Sequence, residues 1–192
     1  MHASNRHGFT LIELVVTIVI LTLLVGIAVP VVGTLQDDAK VAKILQAAET
    51  MRGACARHYA DTGALAIEQS GQAGAAFHRL SLTQTTAGWK GPYMDHPLTE
   101  GDNPFAGAAL IYDTFNGGIA VPFNNGFRIT GQGGPNITGA GQFLAFTQIP
   151  QKIAQAVNDA MDKGLAGNWQ QFGRVQYRPA NGGTLMIFLM DT

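Results

Sequence analysis

The chain has 192 residues, enough for one domain of ordinary size with an extension. The formal net charge is −1 and lysine and arginine do not cluster, so the charge pattern of a nucleic-acid-binding protein is missing. Apolar residues make up 46% of the chain and charged residues only 13%, a low charge content for a soluble protein.

Much of this imbalance lies in the run from Phe9 to Val29. As a helix, at about 1.5 Å per residue, this run would be roughly 32 Å long, the thickness of a bilayer's hydrocarbon core. A cleaved secretory signal has a shorter apolar region of roughly 7–15 residues. The sequence therefore predicts a retained membrane-spanning helix. The residues in the run that are neither large and apolar nor alanine are Thr10, Glu13, Thr17, Thr22 and Gly26.

Glu13 places a carboxylate inside this apolar run. In one interpretation it lies one turn from the membrane surface and its carboxylate reaches back to water. In the other it is an intramembrane carboxylate that needs a partner. Gly8 directly precedes the run and suits a protease that grips an extended backbone. Cleavage there would make Phe9 the new N-terminus, and its amine, or that of a neighbouring copy, could pair with Glu13.

The stretch GFTLIELVV, residues 8–16, resembles the leader junction of type IV pilins and of the pseudopilins of type II secretion. The resemblance implies that Gly8 precedes the bond cut by prepilin peptidase and that the new amine of Phe9 is methylated. It also implies that Glu13 registers subunits during assembly and that Pro30 breaks or loosens the helix. The short leader contains Arg6, which favours a cytoplasmic N-terminus.

Beyond Pro30 the apolar residues recur every three or four positions, which predicts that the helix continues as an amphipathic helix to about Asp61. Pro30 lacks a backbone N–H and should kink or loosen the helix, and Gly63 should end it. Cys55 is expected to pack as a small hydrophobe, with a reactive thiol as the alternative. The predicted buried stripe consists of Val32, Leu35, Ala39, Ala42, Leu45, Ala48 (or Ala47), Met51, Cys55 and Tyr59.

The rest of the chain is expected to form a β-rich head. Residues 64–105 have weak periodicity and several turn signals, which predicts a connecting loop with one short helical turn. The GWKGPYM stretch in this loop resembles a segment that follows the helix in many major pseudopilins. Strands are predicted for the sequences ALIYDT, GIAVPF, FRITG and FLAFTQI.

A second helix is predicted for IPQKIAQAVNDAMDKG, with Pro150 in its first turn and Gly164 at its end. The last predicted element is a hairpin made of GRVQYRP, the turn ANGG and TLMIFLMD. Residues 185–190 are apolar on both faces, so this strand should be central or well covered in the sheet.

The sequence offers little that would support catalysis. The histidines of the head lack metal-ligand spacing and no nucleophile motif accompanies them, so no catalytic residue is predicted; these histidines are His58, His78 and His96. One loop carries four oxygen-bearing side chains that could bind calcium, but a solvated acidic loop is the favoured interpretation. Its residues are Asp95, Glu100, Asp102 and Asn103. No metal and no cofactor are predicted.

The sequence divides into a leader at residues 1–8, a transmembrane and assembly helix at 9–29, an amphipathic continuation at 30–62, and a head at 63–192. The predicted fold class is α+β. The resemblance implies a pilin fold, in which the long N-terminal helix packs on an antiparallel sheet accompanied by one additional helix.

The resemblance implies a structural subunit of a type II secretion pseudopilus and no enzymatic activity. The implied partners are further copies of the chain, related minor pilins and pseudopilins, prepilin peptidase, the inner-membrane assembly platform with its ATPase, and the lipid bilayer. The implied location is the bacterial inner membrane, with a cytoplasmic N-terminus and a periplasmic head, and then the periplasmic fibre. The alternatives are a major or minor subunit of a type IV pilus, serving adhesion, motility or DNA uptake, and a membrane-tethered periplasmic binding module.

Overall fold

The computed structural model describes residues 8–113, 123, 126–133 and 141–191, and for residues 28–31 it describes the backbone alone. Of the predicted leader only Gly8 is among them, and of the predicted strand GIAVPF only Phe123 is. The chain forms two compact units, Met1–Ala39 and Lys40–Thr192.

Helix α1 runs from Leu11 to Thr62, close to the predicted range. Gly63 ends it as predicted: its φ is +65° and its N–H donates to the Tyr59 carbonyl at 2.8 Å. The helix is continuous through position 30, and the loosening expected of Pro30 stays a prediction. Among the described residues α1 is the one helix that is long and apolar enough to cross a membrane.

The described large apolar side chains of the first unit are exposed, as illustrated by Phe9 at 84% and Leu24 at 58%. In the second unit α1 buries one stripe, whose residues are Ile44, Ala48, Met51, Ala54, Cys55 and His58. The predicted stripe is confirmed in its later part, where Ala48, Met51 and Cys55 are buried, but Ile44 rather than Leu45 is fully buried. Its earlier part is wrong, because these residues are exposed: Val32, Leu35, Ala39 and Ala42. Consecutive apolar residues permit two adjacent stripes here, and packing of the head selects one. Cys55 is fully buried in the core, as predicted.

The sheet has five antiparallel strands in the order β1-β2-β3-β5-β4. Helix α2 follows β3 and covers Gln151–Met161. The prediction of an α+β fold with a long first helix, an antiparallel sheet and one further helix is confirmed. The strands are β1 (Glu68–Gln69), β2 (Ala109–Asp113), β3 (Gly141–Thr147), β4 (Val175–Arg178) and β5 (Thr184–Asp191).

Four of the described strands were expected from the sequence, and β5 lies between β3 and β4 as its apolar faces predict. The strand predicted for FRITG is wrong. Residues 127–131 instead end in a turn, in which the Gly131 N–H donates to the Arg128 carbonyl at 3.1 Å. The two-residue strand β1 was not expected, and residues 64–105 contain two short 3₁₀ turns, at Ala75–Phe77 and Glu100–Asp102, rather than one.

Both faces of the sheet are covered. On one face Leu144 and Phe146 of β3 belong to the core that includes α1 and α2. On the other, Phe143 packs beside Phe127, with ring centroids 5.9 Å apart. Two covered faces explain why β3 and β5 are apolar at nearly every position rather than at alternate ones.

A β-bulge provides a direct link from α1 to the sheet. The register of β3 against β5 shifts between Gln142 and Phe143, which leaves Leu189 without a partner in that ladder. The Arg52 Nε of α1 donates to the Leu189 carbonyl at 2.9 Å. The bulge thereby supplies a backbone acceptor that fixes α1 over the end of β5.

Candidate assembly site

The predicted cleavage position lies just before α1. Gly8 and Phe9 are exposed and outside the helix, which begins at Leu11. A Cβ added at Gly8 would meet nothing within 4 Å, so packing within the chain does not require glycine there. A requirement for glycine at this position would therefore come from the processing enzyme.

Glu13 and Thr10 form a capping box at the start of α1. The Glu13 Oε2 accepts a bond from the Thr10 backbone N–H at 2.9 Å and another from the Thr10 Oγ1 at 2.9 Å. In return the Thr10 Oγ1 accepts a bond from the Glu13 N–H at 3.3 Å. This reciprocal arrangement satisfies backbone donors that have no partner in the first turn of a helix.

The capping box adds a third interpretation of Glu13. Water and a terminal amine are the partners expected from the apolar run, whereas in the structure the carboxylate has a partner within its own chain. The signal was present in the sequence, since a threonine followed three residues later by a glutamate, just before an apolar run, is the capping-box pattern. The positive end of the helix dipole further favours a negative charge at this position.

The other polar side chains of the apolar run also bond within the helix. The Thr17 Oγ1 donates to the Leu14 carbonyl at 2.8 Å, and the Thr22 Oγ1 donates to the Val19 carbonyl at 2.8 Å. Glu13 differs from both because it is charged. Its two bonds converge on Oε2, and a carboxylate has about four acceptor positions, so Glu13 has capacity for an additional donor.

The histidines of the head contact different partners. The His58 Nδ1 lies 3.0 Å from the Ala64 carbonyl, and burial lowers the pKa of His58. His96 is exposed, and the hydrogen bond to the Pro97 carbonyl raises its pKa. His78 is buried beside Glu68, at 2.8 Å from Nδ1 to Oε1.

Glu68, His78 and Ser81 lie together without forming a nucleophilic triad. The Ser81 hydroxyl donates to the Glu68 Oε1 at 2.7 Å, and the His78 Nε2 lies 2.9 Å from the Gln72 carbonyl. A serine nucleophile would require its hydroxyl to bond to the histidine base. The cluster therefore lacks the serine–histidine contact on which that chemistry depends.

The acidic loop uses its side chains to form its own structure. The Asp102 Oδ2 accepts bonds from the Thr99 N–H and hydroxyl, both at 2.8 Å. Asn103 is buried, and its Nδ2 donates to the Thr147 carbonyl at 2.8 Å. Within the described part of the chain no group of three histidine, cysteine, aspartate or glutamate side chains is placed to hold a metal ion.

A cleft of about 400 Å³ lies between the second half of α1 and the segment after Tyr93. Two cations of α1 reach across it: the Lys43 Nζ donates to the Gly101 carbonyl at 2.9 Å, and the Arg57 Nη2 donates to the Tyr93 carbonyl at 3.1 Å. These side chains hold the loop in place, and the open lining gives no sign of a specific ligand.

Residues 3–29 match the family model described as the prokaryotic N-terminal methylation motif. The match includes Gly8, Phe9 and Glu13 and ends before the head begins. No curated protein and no solved structure matches the chain. With the apolar helix, the match is consistent with anchoring in the inner membrane and points to a structural protein rather than an enzyme. It supports a type IV pilin-like protein that is a prepilin peptidase substrate and assembles into filaments.

Proposed function

We propose that this chain is a structural subunit of a type II secretion pseudopilus. It is held in the inner membrane by α1 with its head in the periplasm, cleaved between Gly8 and Phe9, and methylated at the new amine. An assembly platform and its ATPase then extract it into a fibre, where the first halves of neighbouring α1 helices pack together. The observation that carries the proposal is an apolar helix, exposed all round, that begins directly after the cleavage motif.

The exposed surface of the first unit requires a cover. Its large apolar residues range from 42% exposed at Val15 to 84% at Phe9, and they occupy every side of the helix. A helix that packs on a single core buries one stripe, whereas a helix that is apolar all round needs lipid or other helices on all sides. Once lipid is lost on extraction, a bundle of identical helices supplies this cover.

Glu13 gives such a bundle its register. In the isolated chain the capping box with Thr10 gives the carboxylate two donors, so the subunit tolerates it in the membrane, and its remaining acceptor positions are available to a neighbouring copy. In the fibre the amine of a neighbouring Phe9 supplies a positive charge, and pairing in apolar surroundings is worth more than solvation by a hydroxyl. A copy shifted along the axis would lose this pairing.

The GWKGPYM resemblance favours secretion over a pilus. The stretch packs against the end of α1: the Tyr93 hydroxyl donates to Asp61 at 2.9 Å and the Lys90 Nζ donates to Asp61 at 3.0 Å. Trp89 lies edge-on to Tyr93 with ring centroids 5.9 Å apart. Deletion of the gene should abolish exoprotein release while twitching persists; the opposite pattern would identify a type IV pilus subunit.

Processing and assembly are tested separately. Mass spectrometry of protein extracted from membranes should find a chain that begins at Phe9 and carries one added methyl group; an intact Met1 start would contradict the proposal. The Glu13→Ala variant should be inserted and cleaved but should not assemble. Asp38→Ala, at an exposed carboxylate of the same helix outside the apolar run, is the matched control. If Glu13→Ala retains full activity, the tethered binding module is the better explanation.

A further inference from the structure

A single buried carboxylate organises the segment that follows β1. Glu68 is fully buried, and its Oε1 accepts bonds from the His78 Nδ1 at 2.8 Å, the Ser81 hydroxyl at 2.7 Å and the Leu98 N–H at 3.3 Å. Its Oε2 accepts a bond from the Leu80 N–H at 3.0 Å. Residues 70–98, here named the clasp segment, are thereby bound at four positions to one side chain of the sheet.

The geometry fixes the protonation state of His78. Its Nδ1 faces the Glu68 carboxylate and its Nε2 faces the Gln72 carbonyl, at 2.9 Å. A carbonyl only accepts hydrogen bonds, so Nε2 must carry a proton. Both Glu68 oxygens accept bonds from other donors, Oε1 from the Ser81 hydroxyl and Oε2 from the Leu80 N–H, so the carboxylate faces Nδ1 as an acceptor. Nδ1 must then carry a proton as well, and His78 is a buried imidazolium.

We propose that the Glu68–His78 ion pair is a pH-sensitive device that holds the clasp segment over α1 while His78 is charged and releases it as the pH rises. A neutral His78 carries one ring proton for two acceptors. One ring nitrogen would then face an oxygen lone pair, and Glu68 would be left as a buried charge without its cation, which is costly. The inference does not depend on the pseudopilus assignment.

The sign of the pH dependence follows from the surroundings of His78. Burial disfavours its charge, but the Gln72 carbonyl and the Glu68 carboxylate outweigh burial and raise the pKa of His78. A pKa raised by folding contributes stability that is fully present below the unfolded value of about 6.5 and is lost as the pH rises through the folded value. The clasp segment is therefore held over α1 at mildly acidic pH.

The neighbouring titratable groups act differently. Burial and the charge of Glu68 raise the pKa of the Cys55 thiol to about 12, so this α1 side chain stays neutral across the relevant range. Burial lowers the pKa of His58, also on α1, so this ring loses its proton at lower pH than His78. The charge of Arg79 also lowers the pKa of His58. His96 also has a raised pKa, but it is exposed and bonds to the adjacent Pro97 carbonyl, so it serves as a control.

Loss of the Glu68–His78 ion pair would also loosen residues of the clasp segment that do not contact it. The Leu80 carbonyl accepts bonds from the Tyr93 N–H at 2.7 Å and the Met94 N–H at 3.2 Å, so movement of Leu80 loosens the later part of the segment too. Leu80 and Leu98 belong to the same buried cluster as Cys55. Since the chain has one cysteine, the access of a reagent to Cys55 reports opening.

The first experiment uses the unaltered full chain in detergent micelles from about pH 5.5 to about pH 9, the range in which a histidine of raised pKa titrates. The ¹⁵N shifts of His78 should show both ring nitrogens protonated at the acidic end. Amide protection at Leu80 and Leu98, corrected for intrinsic exchange, should fall about tenfold for each unit by which the pKa of His78 exceeds its unfolded value. A neutral His78 ring at the acidic end, or protection that does not change with pH, would overturn the proposal.

The second experiment compares His78→Gln with His96→Gln. The His78→Gln chain should show low protection at Leu80 and Leu98 at every pH, with no step, whereas His96→Gln should keep the step. Labelling of Cys55, normalised to the urea-unfolded chain at each pH, should follow the same pattern. A step that survives in His78→Gln would assign the titration to another group and refute the proposal. Should His78→Gln not fold, the measurement on the unaltered chain decides alone.

Discussion

The two units of this chain place apolar residues in opposite environments. From Leu11 to Ile27 the large apolar side chains are exposed on every side of α1. From Ile44 onward the same helix buries a stripe against a sheet that is covered on both faces. One continuous helix thus contains a stretch that requires external partners and a stretch that has its partners within the chain.

Two glutamates show the same contrast. Glu13 is exposed, and its carboxylate bonds to Thr10 within the same helix turn. Glu68 is fully buried and binds side chains and backbone up to 30 residues away. Substitution of Glu13 should therefore affect assembly, whereas substitution of Glu68 should affect the stability of the monomer.

The largest effect is expected from truncating the buried stripe of α1. Ile44→Ala should lower the free energy of unfolding by about 2–5 kcal/mol, because it leaves a cavity in a close-packed core. Leu35→Ala, on the same helix but at a residue 61% exposed, should change it by less than about 0.5 kcal/mol while lowering fibre yield. Denaturant unfolding of the full chain in micelles measures both. An equal loss of stability in the two variants would contradict the inference that α1 is buried in the second unit and exposed in the first.

A smaller loss is expected from a glycine in the β4–β5 turn. Gly183 has a φ of +94°, and a Cβ there would overlap the Ile149 carbonyl oxygen and the Tyr177 hydroxyl. Gly183→Ala should cost about 2–3 kcal/mol from crowding and backbone strain together.

Gly182→Ala is the matched control for this glycine. Its φ is +82°, but the nearest atoms to an added Cβ are 3.8 Å away, so only the strain of about 1 kcal/mol remains. Thermal unfolding should therefore show that Gly183→Ala is less stable than Gly182→Ala. A Gly182→Ala chain as unstable as Gly183→Ala would show that crowding at position 183 is not the cause.

The capping box predicts an effect of about 1 kcal/mol in the first unit. Thr10→Val keeps the shape of the side chain but removes the hydroxyl that bonds to Glu13. Amide exchange in the first turn of α1 should accelerate about fivefold, while unfolding of the head stays unchanged. Thr10→Ser retains the hydroxyl and should behave like the unaltered chain; a loss of protection in Thr10→Ser would refute the role of the hydroxyl.

The smallest effect is expected at Asp61, near the end of α1. Hydrogen bonds from Lys90 and Tyr93 lower the pKa of Asp61. A lowered pKa contributes stability that is present above the unfolded value and is lost as the pH falls through the folded value. Asp61→Asn should therefore remove a slight acid sensitivity seen in pH-dependent unfolding. Asp159→Asn, at an exposed position of α2, should leave that sensitivity intact.

Elements with local signals could be predicted from the sequence. The periodicity of α1 and α2 and the turn residues of the β4–β5 hairpin are properties of adjacent residues, and the structure confirms these elements. The capping box is equally local, since Thr10 and Glu13 are three residues apart. It was detectable in principle from spacing alone.

Features that depend on distant contacts could not be predicted in this way. Residues 127–131 alternate like a strand, but the Arg128 carbonyl accepts the Gly173 N–H at 2.8 Å, so a loop rather than a strand lies beside them. The two-residue strand β1 exists through its pairing with β2. The role of Glu68 depends on donors that follow it by 10 to 30 residues, and nothing in its immediate sequence indicates burial.

The central position of β5 has a consequence for biogenesis. Two of the four described ladders need this strand, although it follows every other described element along the chain. During synthesis the chain therefore completes β2 and β3 long before β5 can close their sheet. A truncated product would leave a permanently open sheet edge for proteases and chaperones, so only a fully synthesised subunit should escape quality control.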